Sequence, residues 1–281
     1  MKRLGFFLLL SISCQIVIAQ AQPKLVVGIV VDQMRQEYFY RYESKFGANG
    51  FNRFVKQGFM LKNAHYNYVP TETGPGHASI YTGTTPAIHG IVANDWYDRT
   101  LKKDVNCVGD DQQTPVGTTK GGKVSPKRLL STTITDELKF ATQMRAKVVG
   151  VSIKDRGAVL PTGHMPDGAY WYDGSTGNFI TSSYYKTELP PWAQKFNQQK
   201  LADQYLALEW KPLLPIEQYT EVTVDDSPYE WKWKGKEKAT FPYNLSELRK
   251  ENGNYDLVGN TPWGNTIVAE MAKAAVAGEG L

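Results

Sequence analysis

Cysteine is scarce in this 281-residue chain, and one of the two, Cys14, lies in the first apolar stretch. Cys107, left alone, excludes an internal disulfide framework, so a hydrophobic core must hold the fold. Histidine is also sparse: His65, His77, His89 and His164 are the four, and none has H-x-H, H-x3-H or D-x3-H spacing. That excludes the local pairs by which a single helix or strand usually offers two ligands to a metal. Charge of one sign is not in excess either, with a net +4 and no basic stripe, so nothing argues for a nucleic-acid partner. After the leader there is no long apolar run, which removes a stable membrane span.

The first residues, "MKRLGFFLLLSISCQIVIAQAQPK", have the layout of a secretory signal: Lys2 and Arg3, an apolar run, then "AQA" at 19–21. A signal peptide over 1–21 is expected, and with it a secreted or periplasmic protein. A lipoprotein signal ending at Cys14 is the lesser alternative, because Ser11-Ile12-Ser13 is a poor lead-in and the apolar stretch continues past it.

What the chain does have is aromatics, 16 Tyr and 7 Trp, and an alternation of strand-like and helix-like segments. The unbroken apolar run 25–31 predicts a buried parallel strand ending at Asp32. "KFGANGFNRFVKQG" predicts a helix with Phe51, Phe54 and Val55 on one side, closed by Gly58. "FMLKNAHYNYV" predicts a second strand, "GPGHASIYTG" a short helix, "SPKRLLSTTITDELKFATQ" another, and "AKVVGVSI" at 146–153 another buried strand. Such alternation implies an α/β sheet. From about residue 157 hairpin-like and Pro/Trp-rich segments replace this pattern, and "TPWGNTIVAEMAKAAVAGEG" resumes helical character. The expected organisation is an α/β core over 23–160, an aromatic accessory insertion over 161–258, and a return to the core over 259–281.

Four groups could carry chemistry. In open α/β sheets ligands bind beyond the carboxyl ends of the strands, where Asp32 is expected and could ligate a hard cation. In "PTETGPGHASIYTG" Pro75 marks a helix start, so Thr73 lies where free N–H groups and the helix dipole favour an anion. A threonine hydroxyl is a poor nucleophile unless activated, and locally an N-cap role competes with the nucleophilic one. Thr71 is close enough to leave the choice between the two threonines open. Lys154 and Arg156 follow a strand and, in extended chain, would face the same way, able to grip a phosphate; an exposed turn is the plain alternative. Asn94 in "HGIVANDWYD" could donate its amide to a phosphoryl oxygen, or simply build a turn. "GTTKGGKV" at 117–124 fits G-x4-G-K, but Val124 replaces the metal-binding hydroxyl, no buried strand precedes it and Ser-Pro follows, so a nucleotide P-loop is rejected. Asp110-Asp111 reads as a solvated acidic turn. His77, one turn after Thr73, could reach its hydroxyl but more often packs locally.

Together "KLVVGIVVDQMR", "VPTETGPGHASIYTG", "HGIVANDWYD" and "VGVSIKDR" resemble the alkaline phosphatase superfamily, most nearly its PafA-like secreted members with a threonine nucleophile. The resemblance implies an α/β three-layer sandwich with a mixed, mostly parallel sheet and an inserted cap. It implies two Zn²⁺ ions and phosphate monoesters as substrates. Asp32 then matches a ligand of the zinc that binds the nucleophile, Thr73 the nucleophile forming a phosphothreonine intermediate, and Asn94, Lys154 and Arg156 the groups holding phosphate oxygens. It selects Thr73 over Thr71. Two cations favour a dianionic monoester; a phosphodiesterase or nucleotide pyrophosphatase of the same superfamily is the alternative, and a non-catalytic secreted binding fragment another. Such sites take three aspartates and three histidines, of which only Asp32 is found here, the others being expected downstream of a segment like "TPWGNTIVAEMAKAAV". The expectation is therefore an N-terminal portion, monomeric, with little activity or stability alone.

Overall fold

The computed structural model describes residues 23–281 apart from Val224. The leader at 1–21, with Cys14, lies outside the described residues. Residues 23–30 belong to a separate unit without regular secondary structure, and Val26, Val27 and Ile29 are exposed. The second unit, Val31–Leu281, contains all the elements named below.

It opens with two short helices, α1 (Glu37–Arg41) and α2 (Phe51–Gln57). Phe39, Phe46 and Phe51 pack edge-to-face or tilted, while Phe54 and Val55 stay exposed. Then come α3 (Thr73–Thr82), α4 (Pro86–His89), the antiparallel pair β1 (Asp95–Asp98) and β2 (Lys103–Asn106), and β3 (Pro115–Val116). Helix α5 (Ile134–Ala141) starts with a complete capping box between Thr133 and Asp136.

A βαβ unit follows: β4 (Val149–Ser152), helix α6 (Asp155–Thr162) and β5 (Gly168–Asp173), which pairs parallel to β4. Gly150 permits the tight return of α6, because a Cβ there would stand 2.5 Å from both the Ala158 carbonyl oxygen and Thr162 Cγ2. Strand β6 (Asn178–Ser182) pairs antiparallel with β5, and the sheet runs β3-β6-β5-β4. Next are α7 (Pro191–Gln198), α8 (Leu201–Leu206), and the two-stranded pair β7 (Glu209–Trp210) and β8 (Tyr243–Asn244). Between β7 and β8 runs the Pro/Trp-rich stretch, and an aromatic cluster of Trp210, Trp233, Phe241 and Tyr243 ties its ends together. The chain continues through α9 (Leu245–Leu248) to α10 (Pro262–Glu279), which begins with proline at its first position and ends at Gly280 in the left-handed region.

Side chains alternate faces along a strand, and β5 uses both. Tyr170 and Tyr172 join a core with Phe179, Phe196, Leu206, Ile267 and Met271. Ala169 and Trp171 join a second core with Ala158, Val159, Leu160, Ile91 and Cys107. The sheet is thus covered on one face by α7, α8 and α10 and on the other by α3 and α6, which are the three layers expected. On α10 the buried Gly264, Ile267, Met271 and Ala275 recur every three or four residues, one stripe facing the sheet.

Two expected strands do not form. Residues 25–31 and 59–69 carry no ladder, and Phe59, Leu61 and Val69 are exposed. A strand requires a hydrogen-bonded neighbour, and among the described residues neither segment has one. An apolar run supplies the tendency to be buried, not the partner that buries it. The run at 146–153 does form its strand, because β5 pairs with it. The hairpin at 168–182, which the sequence reading assigns to an accessory region, extends the same sheet as β4.

Candidate active site

The site gathers at the start of α3. Glu72 is the N-cap and Thr73 the first helical residue, so Pro75, with no N–H to lose, falls in the first turn. The Thr73 hydroxyl does not cap the helix; it donates to Asp32 Oδ2 at 3.0 Å. Lys154 Nζ donates to the same oxygen at 3.3 Å. Burial acts to raise the Asp32 carboxyl, but the hydrogen bonds from Thr73 and Lys154 outweigh it and hold it below the usual carboxylate range. Asp32 is therefore an ionised, half-exposed acceptor between a hydroxyl and an ammonium group. It lies in a turn rather than at a strand end, since 25–31 forms no strand.

The cap of α3 comes from a distant residue. Asn94 Oδ1 accepts the Gly74 N–H at 2.8 Å, satisfying one of the donors a helix start leaves unpaired. His77, buried one turn on, donates from Nδ1 to the Thr73 carbonyl oxygen at 2.8 Å, so it braces the turn rather than reaching the hydroxyl. Beneath lies Cys107. A Cβ on Gly74 would stand 3.1 Å from Cys107 Sγ and 3.2 Å from Asn94 Oδ1, so a side chain there would press these neighbours apart by a few tenths of an ångström. Burial pushes the Cys107 thiol up to about 12, against the smaller opposing effect of Arg156. It is an inert packing group. Thr71 is exposed and takes no part in this network.

Lys154 and Arg156 do not share an extended segment. Lys154 is the N-cap of α6 and Arg156 is already helical, so the alternation argument for the pair does not apply. Their roles differ accordingly. Lys154 turns to Asp32, whereas the Arg156 guanidinium lies 3.8 Å from Asp155, and its Nε is buried with no hydrogen-bond partner. An unpartnered buried guanidinium N–H is costly unless an acceptor, such as an anion, meets it.

The remaining polar candidates resolve as structure. Asp110 is buried and accepts from Ser125 and Lys127, so it is no solvated turn. His164 bridges Asp136 and the Leu129 carbonyl; His89 bridges Ser79 and the Ile91 N–H. The P-loop-like stretch 117–124 meets no helix, its Val124 instead bridging to Gly109. His77 was expected beside Thr73 with local packing as its commoner role, and that is the role it takes. Glu72 and Cys107 were not foreseen as neighbours of Thr73, and the tight T-E-T-G-P-G-H spacing was the available signal for Glu72.

Residues 26–234 match the type I phosphodiesterase / nucleotide pyrophosphatase family. This chain belongs to that family, within the alkaline phosphatase superfamily. It is 51% identical over 263 residues to alkaline phosphatase PafA of Elizabethkingia meningoseptica, covering 92% of this chain and 48% of that protein. It is 49% identical over 262 residues to alkaline phosphatase PhoV of Synechococcus elongatus, covering 93% of this chain and 47% of that one. The crystal structure of wild-type PafA superposes with a TM-score of 0.89 at 50% identity, over 93% of this chain and 50% of that one. So does a PafA variant in which a threonine, an asparagine, a lysine and an arginine are replaced, with a TM-score of 0.89 at 48% identity. The fold is that of these alkaline phosphatases, and the chain spans about half the length of the relatives it matches.

Zinc was expected from the resemblance. Among the described residues no group of three or more His, Cys, Asp or Glu is placed to hold a metal ion. Asp32 and Thr73 contribute two oxygens, which do not make a tetrahedral zinc site. The described residues do not fit a complete binuclear centre.

Proposed function

We propose that this chain carries the nucleophile and phosphate-binding part of a phosphate monoester hydrolase. The observation that carries this reading is the Thr73 hydroxyl, at the positive end of α3, bonded to an Asp32 oxygen that also takes Lys154. In the reaction the Thr73 hydroxyl gives its proton to solvent and Oγ1 bonds to phosphorus as the bond from phosphorus to the substrate oxygen breaks. The departing alkoxide takes a proton from water, and a second water later cleaves the phosphothreonine to phosphate and the restored hydroxyl. Asp32 orients the hydroxyl. Its lowered proton affinity makes it a weak base, so it does not ionise a threonine by itself. The family resemblance implies two Zn²⁺ ions; if supplied by the rest of the polypeptide, they would provide Lewis acidity, and Asp32 and Thr73 would be the oxygen donors this chain offers.

The phosphoryl oxygens have donors at hand. The Thr73 N–H opens the helix, the Asn94 Nδ2 amide is unspent, and Arg156 has its unpaired Nε. The four residue types altered in the PafA variant occur here in the same order, as Thr73, Asn94, Lys154 and Arg156. Two cations suit a monoester dianion better than a diester monoanion. In a secreted or periplasmic setting, small phosphate monoesters are the substrate class, with the protein acting as a monomer.

Hydrolysis of an aryl phosphate and of a bis-aryl phosphate by the polypeptide containing this chain, zinc supplied, tests the reading. Monoester preference, reduced by Lys154→Ala and by Arg156→Ala, is expected. A diester preference indifferent to both changes would replace it with the phosphodiesterase reading.

The incomplete ligand set favours one further reading, a phosphate-binding chain without turnover. It predicts that inorganic phosphate binds to the 281-residue chain near Thr73 while aryl phosphate is not cleaved.

A further inference from the structure

Glu72 touches neither Thr73's hydroxyl nor any cation of the site, yet it is tied to both sides of it. Its Oε2 accepts the Asn94 N–H at 2.6 Å. Asn94 in turn accepts the Gly74 N–H on Oδ1. The residue before Thr73 therefore holds Asn94, and Asn94 holds the residue after it. The backbone carbonyl of Asn94 is fixed as well, by the Cys107 N–H at 2.8 Å.

This closes the accounting for Asn94. Its N–H, its C=O and its side-chain oxygen are all engaged, and only the Nδ2 amide remains. The orientation of the amide is decided by chemistry: a backbone N–H such as that of Gly74 can bond only to the oxygen. A carboxylate accepting a backbone N–H makes one of the stronger hydrogen bonds. Glu72 is exposed, so it fills no cavity, and as N-cap it makes no side-chain bond to its own helix. Its side chain is used on the 93–94 loop instead.

We propose that Glu72 is a positioning residue: by clamping the Asn94 backbone it fixes the amide that donates to a phosphoryl oxygen. The inference rests on the phosphate-site reading for what the amide meets, but not for the clamp itself. The clamp requires an acceptor oxygen, and the negative charge strengthens it. Glu72→Gln should therefore keep a weaker clamp, and Glu72→Ala should open it.

The test uses the 281-residue chain, backbone amide exchange at Gly74 and Asn94, and inorganic phosphate titrated while the Asn94 side-chain amide is observed by NMR. In Glu72→Ala, exchange at both backbone amides should rise about tenfold or more and phosphate should bind about tenfold more weakly, with the thermal midpoint nearly unchanged. Glu72→Gln, which keeps an acceptor oxygen but loses the charge, should fall between the parent and Glu72→Ala, closer to the parent, which excludes general unfolding as the cause. Asn94→Asp keeps the acceptor for Gly74 but loses the donor, so it should retain Gly74 protection and lose phosphate. Unchanged protection and phosphate affinity in Glu72→Ala overturn the proposal. Phosphate that leaves the Asn94 amide unmoved in the parent chain, with protection intact, overturns the phosphate-site reading and with it the role assigned to the amide.

Discussion

The Thr73 hydroxyl and the Asp32 carboxylate, 41 residues apart, meet at 3.0 Å, and Lys154 meets the same oxygen from 122 residues beyond Asp32. A threonine that merely capped its helix would bond its own backbone. This one is directed away from the helix, to a carboxylate.

Removing that hydroxyl is the first prediction. In the polypeptide containing this chain, Thr73→Ala should lower aryl phosphate hydrolysis by about 10³-fold or more, and Thr73→Ser should keep a measurable fraction. Acid-quenched reactions with labelled phosphate should show a phosphoprotein in the parent and none in Thr73→Ala. A Thr73→Ala protein that is labelled and active would place the nucleophile elsewhere.

The packing under the turn gives the second. Gly74→Ala puts a Cβ against Cys107 Sγ, Asn94 Oδ1 and the Ala93 carbonyl oxygen, all within 3.3 Å. Denaturant unfolding should show a loss of about 1–3 kcal/mol. Adding Cys107→Ala removes the nearest of the three obstacles and should recover part of it. Strict additivity of the two losses would mean that the contact is not the cause.

Cys107 itself should be silent. Its thiol is fully buried and pushed up to about 12, chiefly by burial. Peptide-resolved alkylation at pH 8 should leave it unmodified in the native chain and modify it in urea, since thiolate and access are both required. Rapid native labelling would show the turn to be open.

Acid should weaken the fold through Asp110. Burial alone would raise this carboxyl, but hydrogen bonds from Ser125, Gln113, the Gln112 N–H and Lys127 bring it from 3.8 down to about 2. The folded chain then binds fewer protons than the unfolded one. Its contribution is complete above the unfolded value and fades as pH falls from 3.8 toward about 2. Asp110→Asn should cost about 1–3 kcal/mol near pH 6, and the gap to the parent should narrow with acid. A gap independent of pH would remove Asp110 as the origin.

How much of this was legible beforehand differs from residue to residue. Pro75 announced the start of α3, the segment "SPKRLLSTTITDELKFATQ" contained α5, and the apolar run at 146–153 announced β4. The motif order identified the family. Each depends on propensity or periodicity within a few residues, which the chain carries locally. The run at 25–31 was as apolar as β4 and formed no strand, because a ladder is made by two segments. Lys154 and Arg156 looked like neighbours on an extended chain until α6 began between them.

The sequence by itself determined the α/β class and the helix start that presents Thr73, and it put forward Asp32, Asn94, Lys154 and Arg156 as candidates. Tertiary structure alone decided that Thr73 faces Asp32, that Asn94 caps Gly74 and keeps only its Nδ2 amide in reserve, and that Glu72 holds Asn94. The reason is the reach of the interactions. Periodicity says which side of a segment can be buried, whereas the acceptor for each polar group arrives from a segment 20, 41 or 122 residues away.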